Sequence, residues 1–308
     1  MLSTSENKKY KVIGTRPIRH DGYDKVTGRA QYGGDLKLPG MLTGAVLRSP
    51  HAHAKIIKID TSGADKMDGV FATMTSEDLP RLSDAVRGNS EESGTEKHLS
   101  ENVMAFNKVL YKGHVVAAVA AKDQNTALEA LKRIKVDYEI LDSVVNVDQA
   151  MDPNAPIIHE DLIGDHLGKK ISNTNVSAHV LHNIGDVDKA FNEADFIVEK
   201  EINLQTVHQG YIEPHNATAV WDEEDRVKVW TSTQGSFSAR DSISKILNLE
   251  ASRIRVTPME IGGAFGGKIP VYLEPVAAIL SKKTRRPVKA IMTRTDVFDA
   301  TGQAQEEK

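Results

Sequence analysis

The sequence predicts an α+β protein made of two consecutive units, and three observations carry that prediction. First, 308 residues with 40% hydrophobic and 27% charged content suit a globular chain of about two domains at ~150 residues each. Second, strand-type apolar runs bounded by Gly, Pro or Ser recur from Met41 to residue 150, with one amphipathic helix among them. Third, residues 151–185, with Pro153, Pro156 and many polar side chains, sustain neither a helical nor a strand period, and a new series of elements follows. The expected organisation is an extended N-terminal segment (1–40), an α/β domain (41–150), a linker (151–185) and the start of an α+β domain (186–308) whose elements run out before its sheet closes.

Turn signals at Asp21-Gly22, Thr27-Gly28 and Gly33-Gly34 mark the leading segment. LTGAVLR, KIIKID and VFATM then read as strands, and the polar stretch between Arg81 and Ser100 reads as an exposed loop. VLYKGHVVAAVAA is a long apolar strand. Asp123 caps a helix that puts Ala127, Leu128, Leu131 and Ile134 on one face, and IKVDYEIL is the next strand. In the second half Asp186 caps DVDKAFNEA, after which DFIVEKEINLQ, TAVWD and VKVWTS have strand character. A helix over SFSARDSISKIL and a strand over RIRVTP lead to a Gly-rich run, a helix around PVAAILSKK and a strand over PVKAIM. Beyond Ile291 a helix start dissolves into a polar tail.

Composition excludes several functions. A net charge of -4 offers no basic field for a phosphate backbone, so nucleic acid is not expected as a partner. With no cysteine, these residues hold no iron–sulfur cluster, disulfide or thiolate zinc site. No window approaches the ~20 apolar residues of a membrane span, and MLSTSENKKYKVIG has no apolar signal core, so a cytoplasmic chain without a membrane partner is expected. The Asn175 and Asn216 sequons are then chance matches.

The strongest motif is Ile261-Gly262-Gly263-Ala264-Phe265-Gly266-Gly267-Lys268, with four glycines between a strand and a helix. Glycines let backbone N–H groups approach an anion or a flat ring system; a turn that only packs is the competing reading. Gly262 to Lys268 also fits the G-x-x-x-x-G-K frame of a phosphate loop, but Ile269 stands where that loop needs a magnesium-binding Ser or Thr. Nucleotide binding is therefore a remote alternative. His208 to His215 lacks the H-E-x-x-H spacing, and Pro214 would break a helix presenting both histidines, so metal ligation is not expected; a polar loop in which Glu213 ties down backbone amides stands beside a direct catalytic role for it. His51 and His53 form an H-x-H pair without a local third ligand, which favours a turn; no side-chain metal ligand is expected.

Taken in order, these stretches resemble the molybdenum hydroxylase family that includes xanthine dehydrogenase, aldehyde oxidase, carbon monoxide dehydrogenase and hydroxybenzoyl-CoA reductase. Arg29-Ala30-Gln31-Tyr32 with Asp35, the run Leu47 to Ala54, and VLYKGHVVAAVAA are similar to its hammerhead domain. QGYIEPHNATAVW, TSTQGSF and IGGAFGGK are similar to the opening of its molybdopterin-binding domain.

The resemblance implies a molybdenum–molybdopterin cofactor, with the cytosine dinucleotide form allowed, lined by Gly263, Ala264, Phe265 and Gly266, with Gln209 and Gln234 as further contacts. It implies an oxidoreductase acting on an aldehyde, N-heterocycle or related small molecule with water-derived oxygen. Its 2Fe-2S clusters and FAD would sit on iron–sulfur and FAD subunits, with a separate C-terminal molybdopterin half as a further partner. The catalytic residue is unassigned here, because the resemblance places the general-base Glu outside these residues; the chain alone is expected to be inactive, and a non-catalytic assembly role is the alternative. Two positions depart from the pattern of xanthine-oxidising members. Ile269 replaces a substrate-binding Glu, and Val207, flanked by Gln205 and Gln209, replaces a cofactor-contacting Gln.

Overall fold

A computed structural model describes residues 10–82 and 96–304. Its centre is a seven-stranded sheet of β1 (Leu42–Arg48), β2 (Val70–Met74), β3 (Val115–Ala121), β4 (Asn216–Trp221), β5 (Val227–Thr231), β6 (Ile254–Pro258) and β7 (Val288–Ile291), in the order β6-β5-β4-β7-β1-β3-β2. Strand β7 runs parallel to β1, with Leu42 opposite Val288, and antiparallel to β4, with Asn216 opposite Ile291. It therefore joins strands from both sides of residues 151–185 into one sheet. A smaller sheet pairs Ala54–Asp60 with Lys108–Val109 and Lys135–Ile140, and the fold is α+β.

The sheet is covered on two faces because β3 is small and apolar throughout. Ala118 and Ala120 face a core with Leu42, Met74, Val276 and Leu280, whereas Ala117, Val119 and Ala121 face Ala127, Ala130, Leu131 and Ile134. Helix α1 (Gln124–Leu131) supplies the second face, and Asp123 caps it by accepting from the N–H of Thr126 at 2.8 Å. Helices α2 (Ser236–Leu247) and α3 (Glu274–Thr284) fill the first face with Ile243, Ile246, Val276, Ala277 and Leu280, all fully buried. Asn248 and Arg285 end them in the left-handed conformation, and Pro275 opens α3 in its first turn.

Several expectations needed correction. The run 109–121 is not one strand: it breaks over Leu110 to His114, and Gly113 turns the chain at φ 89°. The break seats a fully buried His114, which accepts from the N–H of Leu110 at 3.2 Å and donates through Nε2 to the carbonyl of Glu101 at 2.7 Å. Part of the polar stretch after Arg81 lies outside the described residues, and its end is a helix, Glu96–Val103, rather than loop. The leading segment is not uniformly extended, since Gly22–Thr27 are helical and Tyr32 bridges to Glu260. Residues 195–203 form no strand despite their alternation, because no described strand lies along them; Phe196, Val198 and Ile202 are exposed. The tail after Ile291 is more ordered than expected. It holds helix α4 (Arg294–Ala300), closed by a reciprocal Thr293/Asp296 capping box, and a two-residue strand, Gln303–Ala304, paired with Val207–His208. Among the described residues no helix is long and apolar enough to cross a membrane.

Candidate functional site

Strand β6 delivers the Gly-rich loop to the end of the sheet, and α3 follows it. The loop turns where the N–H of Gly267 donates to the carbonyl of Ala264 at 2.9 Å, with left-handed φ at Gly263 (92°), Phe265 (49°) and Gly266 (92°). A positive φ is costly for a bulky residue, so Phe265 marks a backbone held in place by its surroundings. Its ring and Gly266 face outward, whereas Ala264, Gly267 and Lys268 are buried.

The segment 208–215 forms the bed under this loop. Tyr211 is buried, and a Cβ on Gly267 would come within 2.7 Å of its ring, so only glycine fits there. Arg294 of α4 holds the segment by donating from Nη1 to the carbonyl of Tyr211 at 2.8 Å and from Nη2 to that of Ile212. Below lies a polar chain. The N–H of Gly210 donates to Nδ1 of His208, which leaves Nε2 as the donor to Thr301 Oγ1 at 3.2 Å. Thr301 gives its own proton to the carbonyl of Val297, and the Tyr211 hydroxyl lies 2.7 Å from Thr301 Oγ1 and 2.7 Å from His215 Nε2. Burial, helped by the Lys268 charge, pushes His215 down to about 3, so this imidazole is neutral.

The two ends of the loop meet at Glu213. Its Oε2 accepts from the N–H of Gly262 at 2.8 Å and from Lys268 Nζ at 2.7 Å, while Oε1 accepts from Asn216 Nδ2 at 3.1 Å. Burial lowers the Lys268 ammonium below its ordinary value and Glu213 opposes the shift. The expectation that Glu213 ties down backbone amides matches this geometry. The phosphate-loop reading loses its cation, since Lys268 points at a carboxylate and its side chain is fully buried.

The candidate residues from the sequence converge here with different surroundings. Gly263 to Gly266 form one continuous wall, to which Ala264 contributes backbone only, its side chain being buried. Gln209 lies beneath, with its Oε1 buried, without a hydrogen-bond partner among the described residues, and 3.2 Å from where a Cβ on Gly267 would stand. Gln234 clamps the loop: its Oε1 accepts from the N–H of Lys268 at 3.2 Å, and its N–H donates to the Lys268 carbonyl at 3.0 Å. His51 and His53 sit apart in a turn where Ser49 Oγ accepts from the N–H of His51, and His53 Nδ1 meets the carbonyl of Asp142 at 2.6 Å. Sequence does not single out Arg294 and Thr301, because they reach the site from more than 80 residues away and carry no local signal.

This wall fits a flat, anionic group. A Cβ built on Gly266 would meet nothing within 4 Å, so the outer face is open, and among the described residues the N–H groups of Phe265 and Gly266 meet no acceptor. Behind it lies the buried Gln209 oxygen, an acceptor without a hydrogen-bond partner among the described residues.

Comparison with known proteins agrees with the order of these features. Residues 27–142 match the family model for the aldehyde oxidase and xanthine dehydrogenase a/b hammerhead domain, and residues 169–308 match that for the molybdopterin cofactor-binding domain. A probable xanthine dehydrogenase subunit from Bacillus subtilis (strain 168) is 33% identical over 279 residues, covering 91% of this chain and 35% of the relative. The nicotinate dehydrogenase large molybdopterin subunit of Eubacterium barkeri is 30% identical, covering 94% of this chain and 63% of the relative. Among solved structures, reconstituted CO dehydrogenase from Oligotropha carboxidovorans superposes with a TM-score of 0.77 at 30% identity, covering 95% of this chain and 36% of that one. The chain thus spans from about a third to just under two thirds of the length of these relatives. With both family models matched in order, it belongs to the xanthine dehydrogenase, aldehyde oxidase and carbon monoxide dehydrogenase large-subunit family, with a hammerhead region followed by a molybdopterin cofactor-binding region.

Proposed function

We propose that this chain supplies the Gly263 to Gly266 wall of the molybdopterin site in a molybdenum hydroxylase that oxidises an aldehyde, N-heterocycle or related small molecule with oxygen from water. The observation that carries the reading is the open outer face at Gly266, where the N–H groups of Phe265 and Gly266 meet no acceptor among the described residues. Bound there, the cofactor would supply the two-electron redox chemistry and the polarisation of water. The protein's share is to orient and to exclude water. Backbone N–H groups of Phe265 and Gly266, which meet no acceptor among the described residues, would donate to the anionic cofactor, Gln209 would support the wall from beneath as a further contact, and Gln234 holds the loop at Lys268. The Phe265 ring, exposed at 74%, would pack against cofactor or substrate once the pocket is complete.

The cytosine dinucleotide form of the cofactor, and 2Fe-2S and FAD centres on partner subunits, belong to the same reading; the absence of cysteine from these residues means that any cluster is held elsewhere. Residues 151–185 are read as a connection between domains in sequence, although the main sheet draws on both sides of it. A non-catalytic assembly role is favoured by one observation. Phe196, Val198 and Ile202 alternate along an extended stretch and are exposed by 61–86%, the pattern of a strand awaiting an edge from further molybdopterin-domain polypeptide, in the same subunit or a separate half.

The test is metal and pterin analysis of the complex purified with its partner subunits. Near-stoichiometric molybdenum is expected, falling at least tenfold in Gln209→Leu while the stability of the cofactor-free chain stays level or rises, since an unpaired buried acceptor has been removed. A wild-type complex without molybdenum would overturn the reading.

A further inference from the structure

We infer that Glu213 and Lys268 are positioning residues: a single carboxylate oxygen is bonded to both ends of the loop and fixes the curvature of Gly263 to Gly266 on which cofactor binding depends. The inference rests on the reading of that loop as a cofactor wall.

The connectivity is closed in both directions. Glu213 donates its backbone N–H to the carbonyl of Gly262 at 3.1 Å and receives the N–H of Gly262 on Oε2 at 2.8 Å. The same Oε2 receives Lys268 Nζ at 2.7 Å, so residues 262 and 268 are held to one atom. Close approach is built in, because a Cβ on Gly262 would lie 2.6 Å from that of Glu213. Lys268 is fixed again by its exchange of hydrogen bonds with Gln234, and Lys268 Nζ lies 5.1 Å from the centroid of the Tyr211 ring. Between these anchors, among the described residues, the only backbone bond within the loop is that from Gly267 to Ala264. The left-handed Phe265 is therefore sustained from the loop's ends, not from within.

The chemistry explains why a charged pair is used. Lys268 has its side chain fully buried and Glu213 has 12% of its own exposed, so each neutralises the other and the wall presents N–H dipoles rather than a mobile cation. Removing one partner leaves a buried charge without its counterion. Shortening Glu213 to Asp leaves a carboxylate unable to reach both ends.

The experiment uses the full chain for amide hydrogen exchange read by mass spectrometry, and the complex with its partner subunits for molybdenum content. Lys268→Met and Glu213→Asp should each speed exchange of the hydrogen-bonded loop amides, those of Gly262, Gly267 and Lys268, at least tenfold, while peptides from β3 and α1 keep wild-type rates. Molybdenum per assembled complex should fall at least tenfold, and Lys268→Arg should restore both readings to within threefold of wild type. If Lys268→Met does not fold, the charge-free double variant Glu213→Gln/Lys268→Met replaces it with the same expectation. Unchanged loop exchange and molybdenum content in Lys268→Met, with the wild-type complex loaded, would overturn the positioning role and leave the cofactor reading standing. A wild-type complex that holds no molybdenum would overturn both.

Discussion

The Tyr211 hydroxyl lies 2.7 Å from Nε2 of His215, four residues along the chain, and this contact ties the bed of the Gly-rich loop to the start of β4. The same oxygen reaches Thr301 beyond α4, so one phenol links three segments through buried polar atoms. In Tyr211→Phe the shape survives but His215 and Thr301 lose a partner in a dry site. The expected cost is about 1–3 kcal/mol, read as a shift in the urea midpoint; an unchanged midpoint would show that the link is not stabilising.

A second prediction concerns space. Gly267→Ala places a Cβ 2.7 Å from the Tyr211 ring, and the Tyr211 backbone is pinned by Arg294, so the ring has little room to retreat. Overpacking of this kind costs about 1–3 kcal/mol. If the combined variant Gly267→Ala/Tyr211→Leu proved less stable than the sum of the single costs, the assumed clash would be wrong.

Acid should destabilise the fold in a defined window. His114 and His215 are pushed down to about 4 and about 3 by burial, below the ordinary value of 6.5, so both are neutral when folded and protonate in the unfolded chain. The unfolded state then binds more protons, and stability falls as pH drops below 6.5 towards 4, by up to about 1.4 kcal/mol per pH unit for each group. Glu274, raised by burial, works the other way above its ordinary value of 4.5, which softens the slope without reversing two histidines. Urea titrations between pH 4 and 7 check this, and His114→Gln should flatten the profile. A stability maximum near pH 4.5 would contradict it.

The exposed stretch 195–204 supports a fourth prediction. Phe196→Ser with Val198→Ser should leave the stability of the isolated chain within about 0.5 kcal/mol, since both side chains are more than three quarters exposed. Yield of complex with the remaining molybdopterin polypeptide should drop severalfold in co-purification. Equal yield would remove the case for that surface.

Much of the fold is legible in the sequence because periodicity and caps are local signals. Strand β3 shows its burial in an unbroken apolar run, α1 announces itself at Asp123, and α3 has Pro275 in its first turn. His114 escapes such a reading, since a buried histidine inside an apolar run looks like a strand residue until its carbonyl partner is known. Residues 195–203 mislead for the same reason in reverse: alternation records a preference, and pairing needs a neighbour. At the site, the glycines and Glu213 are readable from residue type. The Lys268 partnership spans 55 residues and the Arg294 clamp 83, distances at which sequence carries no signal of contact.

The most direct test of the cofactor wall is amide hydrogen exchange at Phe265 and Gly266 in the complex with and without molybdopterin. Loading should slow exchange of these two N–H groups at least tenfold, leaving β6 unchanged, because they meet no acceptor among the described residues and the loop is open at Gly266. Identical exchange in the loaded and unloaded complexes would contradict the account.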